Sequence, residues 1–142
     1  MYDRPDVDQL LDAVRGYLQS DVVPAVQADR KQYYQALVAI NVLGIIQREM
    51  QMSAEHLKAE WSRLNFVQNL TAPFPADLVE ARAALAERNR KLCEEISAGR
   101  YDYSPQRSAL FEHLMVTTRA QLEVANPKFL QSVAAEGETS AS

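Results

Sequence analysis

From Ala36 to Ile46 the chain reads ALVAINVLGII, an apolar run interrupted only by Asn41 and Gly44, with Tyr33 and Tyr34 before it and Arg48 and Glu49 shortly after it. A surface helix carries one apolar stripe, whereas a helix apolar on every side needs neighbours on most of them. The run therefore predicts a helix over about 30–52, enclosed at the centre of the fold. It falls short of the roughly 20 apolar residues that cross a bilayer, which makes it a core helix and not an anchor.

On either side of this spine the apolar positions recur at helical spacing. Val7, Leu10, Leu11, Val14 and Leu18 predict a first helix over about 6–22, with Asp6 or Asp3 placed to cap it. Pro24 lacks an amide donor, so 23–29 is expected to be a turn or irregular. Ser53 is a candidate N-cap for a third helix, whose apolar side is Leu57, Trp61, Leu64 and Phe66 or Val67, as far as Leu70. TAPFP, residues 71–75, is the clearest connector, with two prolines in five positions. Pro75 suits the first turn of a fourth helix, striped by Leu78, Ala81, Leu85, Leu92 and Ile96 and stopped at Gly99. Ser104 and Pro105 open a fifth, with Phe111, Leu114, Met115, Thr118, Leu122 and Ala125 on one side. Asn126-Pro127 ends it or starts a short turn through Leu130. No stretch alternates with period two, so no sheet is expected. The reading is all-α: a single-domain antiparallel bundle of about five helices over 1–131, the 30–52 helix central, and a disordered tail over 132–142, whose small polar residues offer little to bury.

Composition adds exclusions. A formal net charge of -4 gives no global attraction to phosphate backbones or anionic lipid, so neither nucleic acid nor membrane is an expected partner. Cys93 is the sole cysteine, which excludes an intrachain disulfide and fits a reducing, cytoplasmic setting. The acidic residues of MYDRPDVDQLLDAV do not resemble a secretory signal.

The chemistry-bearing residues form no catalytic pattern. His56 has Glu60 four residues on, but two ligands are too few for a metal. The Glu-x-x-His motif of helical carboxylate sites is missing, because 53 is Ser and 110 is Leu. Both histidines read as surface or half-buried, and Cys93 as core or boundary packing. Four glycines, at 16, 44, 99 and 137, build no phosphate-binding loop. Arg82, Arg88, Arg90, Lys91 and Arg100 are interleaved with Glu80, Glu87, Glu94 and Glu95, which reads as a solvated face laced by ion pairs. No enzyme activity, cofactor or metal is expected. The unusual feature is Tyr34, Asn41 and Arg48, spaced by seven on the spine with Val38 and Ile45 between them. Either Asn41 is buried and fixes packing register, or this side is open and covered by another subunit, Tyr and Arg being favoured interface anchors.

The segments PDVDQLLDAVRGYL, YYQALVAINVLGIIQRE, LCEEISAGRYD and LEVANPKFL, in that order, resemble a small bacterial family described only as a domain of unknown function, over about residues 5–130. Its genes are typically found beside aminoglycoside-phosphotransferase-like kinases and acyl-CoA dehydrogenase-like proteins. The resemblance implies a non-catalytic accessory subunit that binds and supports such a kinase acting on a hydroxyacyl-CoA, as in the levulinate pathway. Asn41, Arg48, Glu49, Gly99, Asn126 and Pro127 match the family pattern. An aromatic-His pair stands there where this chain has Tyr33 and Tyr34, so no role for that His carries over. The expected partner-binding residues are Tyr33, Tyr34, Asn41, Arg48 and Asn126. The alternative is a free-standing homo-oligomer, such as a homodimer closed by the Tyr34 side.

Overall fold

The computed structural model describes residues 5–139, and among them every regular element is helical: α1 (Val7–Tyr17), a π-helical turn (Leu18–Val22), the short α2 (Val23–Ala25), α3 (Arg30–Gln68), α4 (Leu78–Ser97), α5 (Arg107–Ala125) and α6 (Pro127–Thr139). The all-α expectation holds. The chain divides between Gln51 and Met52 into two compact units, and α3 runs through that division.

In the first unit, α1 opens with a capping box. The Asp6 carboxylate accepts from the Gln9 amide at 2.8 Å, and the Gln9 side chain accepts from the Asp6 amide at 3.0 Å. Helix persists to Ala25, past the point where Pro24 was expected to end it. The Val23 amide donates back to the Leu18 carbonyl, a π-type bond, and Pro24 then sits in a first turn, where its missing N–H costs nothing. Asp29 starts α3 by accepting from the Lys31 and Gln32 amides.

At 39 residues α3 is about 58 Å long. No break occurs at Ser53, contrary to the expected boundary between a second and a third helix. Neither Gly nor Pro stands between Gly44 and Pro73, so nothing there stops a helix already running. Nor is the 30–52 stretch the enclosed centre of the fold. Its only buried residues are Ala36, Gly44 and Gln47, while Leu37, Val38, Val42, Ile46 and Met50 are exposed.

The core lies in the second unit. Trp61, Leu64 and Val67 of α3 meet Leu85 and Leu92 of α4, Tyr101 of the following loop and Leu110 of α5. Trp61 is its hub. Its indole N–H donates to the Ala72 carbonyl at 2.8 Å, its ring meets Phe74 edge-on at 5.8 Å, and the Arg88 guanidinium lies 4.4 Å from its centroid. Asn65 donates to the same carbonyl at 2.8 Å, so the TAPFP connector is pinned to α3. Two helices end in the left-handed turn that returns an amide to an unpaired carbonyl. Asn69 (φ 53°) lets Leu70 bond Asn65, and Gly99 (φ 77°) lets Arg100 bond Glu95.

Three further boundaries differ from the pattern reading. Helix α4 starts at Leu78, capped by the Asp77 carboxylate that accepts from the Glu80 amide at 2.9 Å, so Pro75 precedes the helix and is not in its first turn. Ser104 accepts from the Gln106 amide, and α5 starts only at Arg107. The inward face of α5 is Leu110, His113 and Val124, so the predicted stripe is turned outward, with Phe111, Leu114 and Met115 exposed. Burying His113 shifts the phase by one position from the most apolar stripe. Helix α6, started by Pro127 with the Asn126 side chain accepting from the Phe129 amide, occupies 132–139 of the expected disordered tail. Residues 140–142 lie outside the described residues.

The phase of α3 in this unit gives a direct test. Leu64→Ala, at a fully buried position, is expected to lower the free energy of unfolding by about 2–5 kcal/mol. Phe66→Ala, two residues away and exposed, should change it by less than about 0.5 kcal/mol in the same urea titration.

Candidate partner-binding surface

The α1–α3 hairpin is held by one buried amide. The Gln47 side chain accepts from Arg15 Nη1 at 2.6 Å and donates to the Asp12 carboxylate at 2.9 Å and to the Asp8 carboxylate and carbonyl at 3.2 and 3.3 Å. One turn on, Gln51 donates to the other Asp8 oxygen at 2.8 Å. Gly44 makes room on the same side. A Cβ there would stand 3.3 Å from Arg48 Nη1 and 3.5 Å from Arg15 Nη2. Polar groups thus hold the two helices together, beside buried Ala36 and half-buried Ile40, and many of the larger apolar side chains stay exposed.

Helical phase shows where they point. With Asp8, Asp12 and Arg15 facing Gln47, the exposed Leu10, Val14 and Tyr17, spaced four and three apart, lie on the side of α1 turned away from α3. On α3, Tyr34, Val38, Asn41, Ile45 and Arg48 alternate four and three apart and form a seam about a third of a turn from the side that meets α1. The seam is open: Tyr34 is 68% and Val38 41% exposed, Asn41 is exposed, and Ile45 and Arg48 are half-buried. Asn41 is therefore not a buried residue fixing register within this chain. Val42, Ile46 and Met50 leave a further apolar flank exposed.

Of the other expected partner-binding residues, Tyr33 is half-buried and its helical phase puts it on the α1-facing side, away from Tyr34. Asn126 belongs to the other unit, where it caps α6. Within the first unit the structure thus brings together Tyr34, Asn41 and Arg48 and does not bring Tyr33 to them. Leu10, Val14 and Tyr17 were missed as surface residues. Their heptad-like spacing was visible, but amphipathic spacing identifies an apolar face without saying whether the chain itself covers it.

In the second unit the chemistry-bearing groups are mostly occupied with one another. His56 faces Glu123 of α5 at 3.3 Å. Glu60, four residues on, accepts from Asn89 at 2.9 Å. Among the described residues no three His, Cys, Asp or Glu side chains are grouped to hold a metal ion. Cys93 is exposed and not packed as expected, since it follows Leu92 and points out of α4. Arg90 pairs with Glu87 at 2.7 Å and with Glu94, and Lys91 reaches Glu87 at 3.8 Å, so this part of the basic cluster is a solvated face. Arg88 alone turns inward, over Trp61 and onto Gln68 at 2.8 Å. An open groove of about 520 Å³ beside Val67 and Tyr101 holds Glu95, but that carboxylate is already bonded by Arg100 at 2.7 Å and by the Tyr101 hydroxyl at 3.0 Å.

His113 is 2% exposed and its Nδ1 finds no partner within the protein, a placement that the reading as a surface or half-buried residue did not foresee. Burial pushes its pKa below the ordinary imidazole value, and Arg63 and Arg88 add to this against the pull of Glu60.

Fold and surface together define an all-α protein whose N-terminal hairpin exposes apolar side chains on both of its helices. A family model described as a domain of unknown function, DUF6285, matches residues 26–129, and the chain belongs to that family. The match takes in the Tyr34–Arg48 seam and Asn126. No curated protein and no solved structure matches the chain. None of the described helices is long and apolar enough to cross a membrane.

The buried imidazole has a measurable consequence. Its folded-state pKa lies below that of the unfolded chain, so the unfolded state takes up a proton that the folded state refuses as pH falls. Stability is complete above about pH 6.5 and declines below it. The loss of urea midpoint between pH 7 and pH 5.5 is expected to be smaller in His113→Leu than in the unsubstituted protein. Equal losses in the two proteins would show that His113 does not titrate on unfolding.

Proposed function

We propose that this protein is a non-catalytic accessory subunit that docks, through its N-terminal hairpin, onto a phosphotransferase-like kinase acting on hydroxyacyl-CoA or related substrates. The observation that carries the docking role is the hairpin. It exposes Val7, Leu10, Val14 and Tyr17 on α1 together with Leu37, Val38, Val42, Ile46 and Met50 on α3. Exposed apolar side chains gathered on each of the two helices in this way mark candidate protein interfaces. The identity of the partner rests on the resemblance through the YYQALVAINVLGIIQRE and LEVANPKFL segments, and the accessory role on the absence of any catalytic pattern in the sequence.

The kinase docks on the side of α1 formed by Leu10, Val14 and Tyr17. Tyr34, Asn41 and Arg48 form a second partner-binding side of the same hairpin. Binding here trains and protects the kinase instead of performing chemistry, so its expected signature is a more soluble or more active kinase.

Co-expression with a kinase encoded beside this gene is expected to give a complex that survives affinity purification and gel filtration. Leu10→Glu combined with Val14→Glu should weaken that complex at least about tenfold, since two charges would be buried against apolar surface. Its circular dichroism should match that of the unsubstituted chain, because both side chains are exposed. If the unsubstituted chain does not co-purify, the kinase reading is wrong.

A further inference from the structure

Within the second unit α3 and α5 run antiparallel. Arg63 Nη2 donates to Thr117 Oγ1 at 3.3 Å, and His56, earlier on α3, meets Glu123, later on α5, at 3.3 Å. An open groove follows this helix pair in two adjoining parts that share Arg63 as a wall. One part, about 160 Å³, is bounded by His56, Arg63, Arg119 and Glu123. The other, about 340 Å³, is bounded by Phe66, Ala109, Glu112 and His113.

The smaller part has an excess of positive charge. Glu123 is its one carboxylate, and His56 already faces it. Arg63 is half-buried, yet its guanidinium meets only the Thr117 hydroxyl, and its Nε is buried without an acceptor. Arg119 is exposed and pairs with no carboxylate among the described residues. A guanidinium drawn partly out of water without a counter-ion carries a desolvation cost that a bound anion would offset. We propose that this groove binds a small aliphatic monocarboxylate, with its carboxylate at Arg63 and Arg119 and its chain lying toward Phe66.

The charges set both the class of ligand and its direction. Two guanidiniums against one carboxylate leave a single positive excess when His56 is neutral, which suits a monoanion better than a doubly charged phosphate. The planar fork of a guanidinium also matches the two oxygens of a carboxylate. Glu112 stands seven residues before Arg119, about 10 Å away along α5, and repels an anion from the far end. The aliphatic chain covers Val116 and Phe66, which are 38% and 74% exposed. This site belongs to the second unit and needs no partner protein, so it and the kinase reading can fail separately.

Calorimetric titration of the full chain with sodium hexanoate at low salt, paired with thermal unfolding, tests the proposal. Hexanoate is expected to saturate one site with a Kd of about 1 mM, at least about tenfold tighter than acetate, because the added methylenes leave water. Arg119→Gln and Arg63→Gln should each weaken hexanoate at least about fivefold with circular dichroism unchanged. Phe66→Ala, at an exposed position, should weaken it about threefold without moving the urea midpoint. Neither heat nor a thermal shift at about 10 mM hexanoate would overturn the proposal. So would hexanol binding as tightly as hexanoate, which would mean an apolar groove with no anion site. Inorganic phosphate binding more tightly than hexanoate would make it a phosphate site and overturn the ligand class. Undiminished hexanoate affinity in both arginine variants would place the binding elsewhere on the chain.

Discussion

One neighbouring helix cannot cover an apolar helix, and the first unit is organised by that constraint. A packed neighbour occupies about a third of a helix's circumference. The 30–52 stretch of α3 has apolar residues on nearly all of its circumference, and among the described residues of its unit the helix bonded to it is α1. The side that does meet α1 is joined by polar groups, Gln47 and Gln51 bonding Asp8, Asp12 and Arg15 beside buried Ala36 and half-buried Ile40. Hydrogen bonds of this kind orient two helices well, though each contributes only about 1 kcal/mol net. The apolar surface that would ordinarily drive helix packing is left for something outside the hairpin.

The second unit resolves the same problem within the chain. Trp61 sits where α3, α4 and the TAPFP connector converge, with Arg88 over its ring, Phe74 edge-on to it and its N–H bonded to Ala72. Arg88 is turned inward to lie on that ring, at the cost of its solvation and of a lowered guanidinium pKa. His113 is the other polar intruder, and its burial dictates which side of α5 faces in. The result is a core built from three helices and a connector, while Phe66, Phe111 and Met115 of the same unit stay exposed.

Much of this was legible in the residues. Helical spacing located α1, α4 and α5 within a few positions. The buried Trp61, Leu64, Val67, Ala81, Leu85 and Leu92 fall on the expected stripes. Gly99 stops α4 as its lack of a side chain allows. What misled was the assumption that the most apolar segment is the most buried. Periodicity reports which sides of a helix avoid water, but it is silent on whether the cover is intramolecular, and ALVAINVLGII is the case where the two differ. The same limit explains α5, where Phe111, Leu114 and Met115 make the better apolar stripe while Leu110 and His113 are the buried residues. The Tyr34, Asn41 and Arg48 spacing was visible, and its openness was not, because that depends on where α1 packs.

An exposed apolar helix is also a hazard, and the seam carries the means to limit it. Asn41 interrupts the apolar run at its midpoint, and Tyr34 and Arg48 close it with groups that need hydrogen bonds or a facing charge. Any partner that buries the run must satisfy a carboxamide at the centre and a phenol hydroxyl at the edge, or bear the cost of leaving them unpaired in an apolar contact. Random aggregation rarely meets both conditions at once, whereas a surface shaped to them does. The polar residues lower the affinity that pure hydrophobicity would give and in return restrict which surfaces can bind. That trade explains why the spine, otherwise an unbroken membrane-like or core-like sequence, carries an amide at its middle.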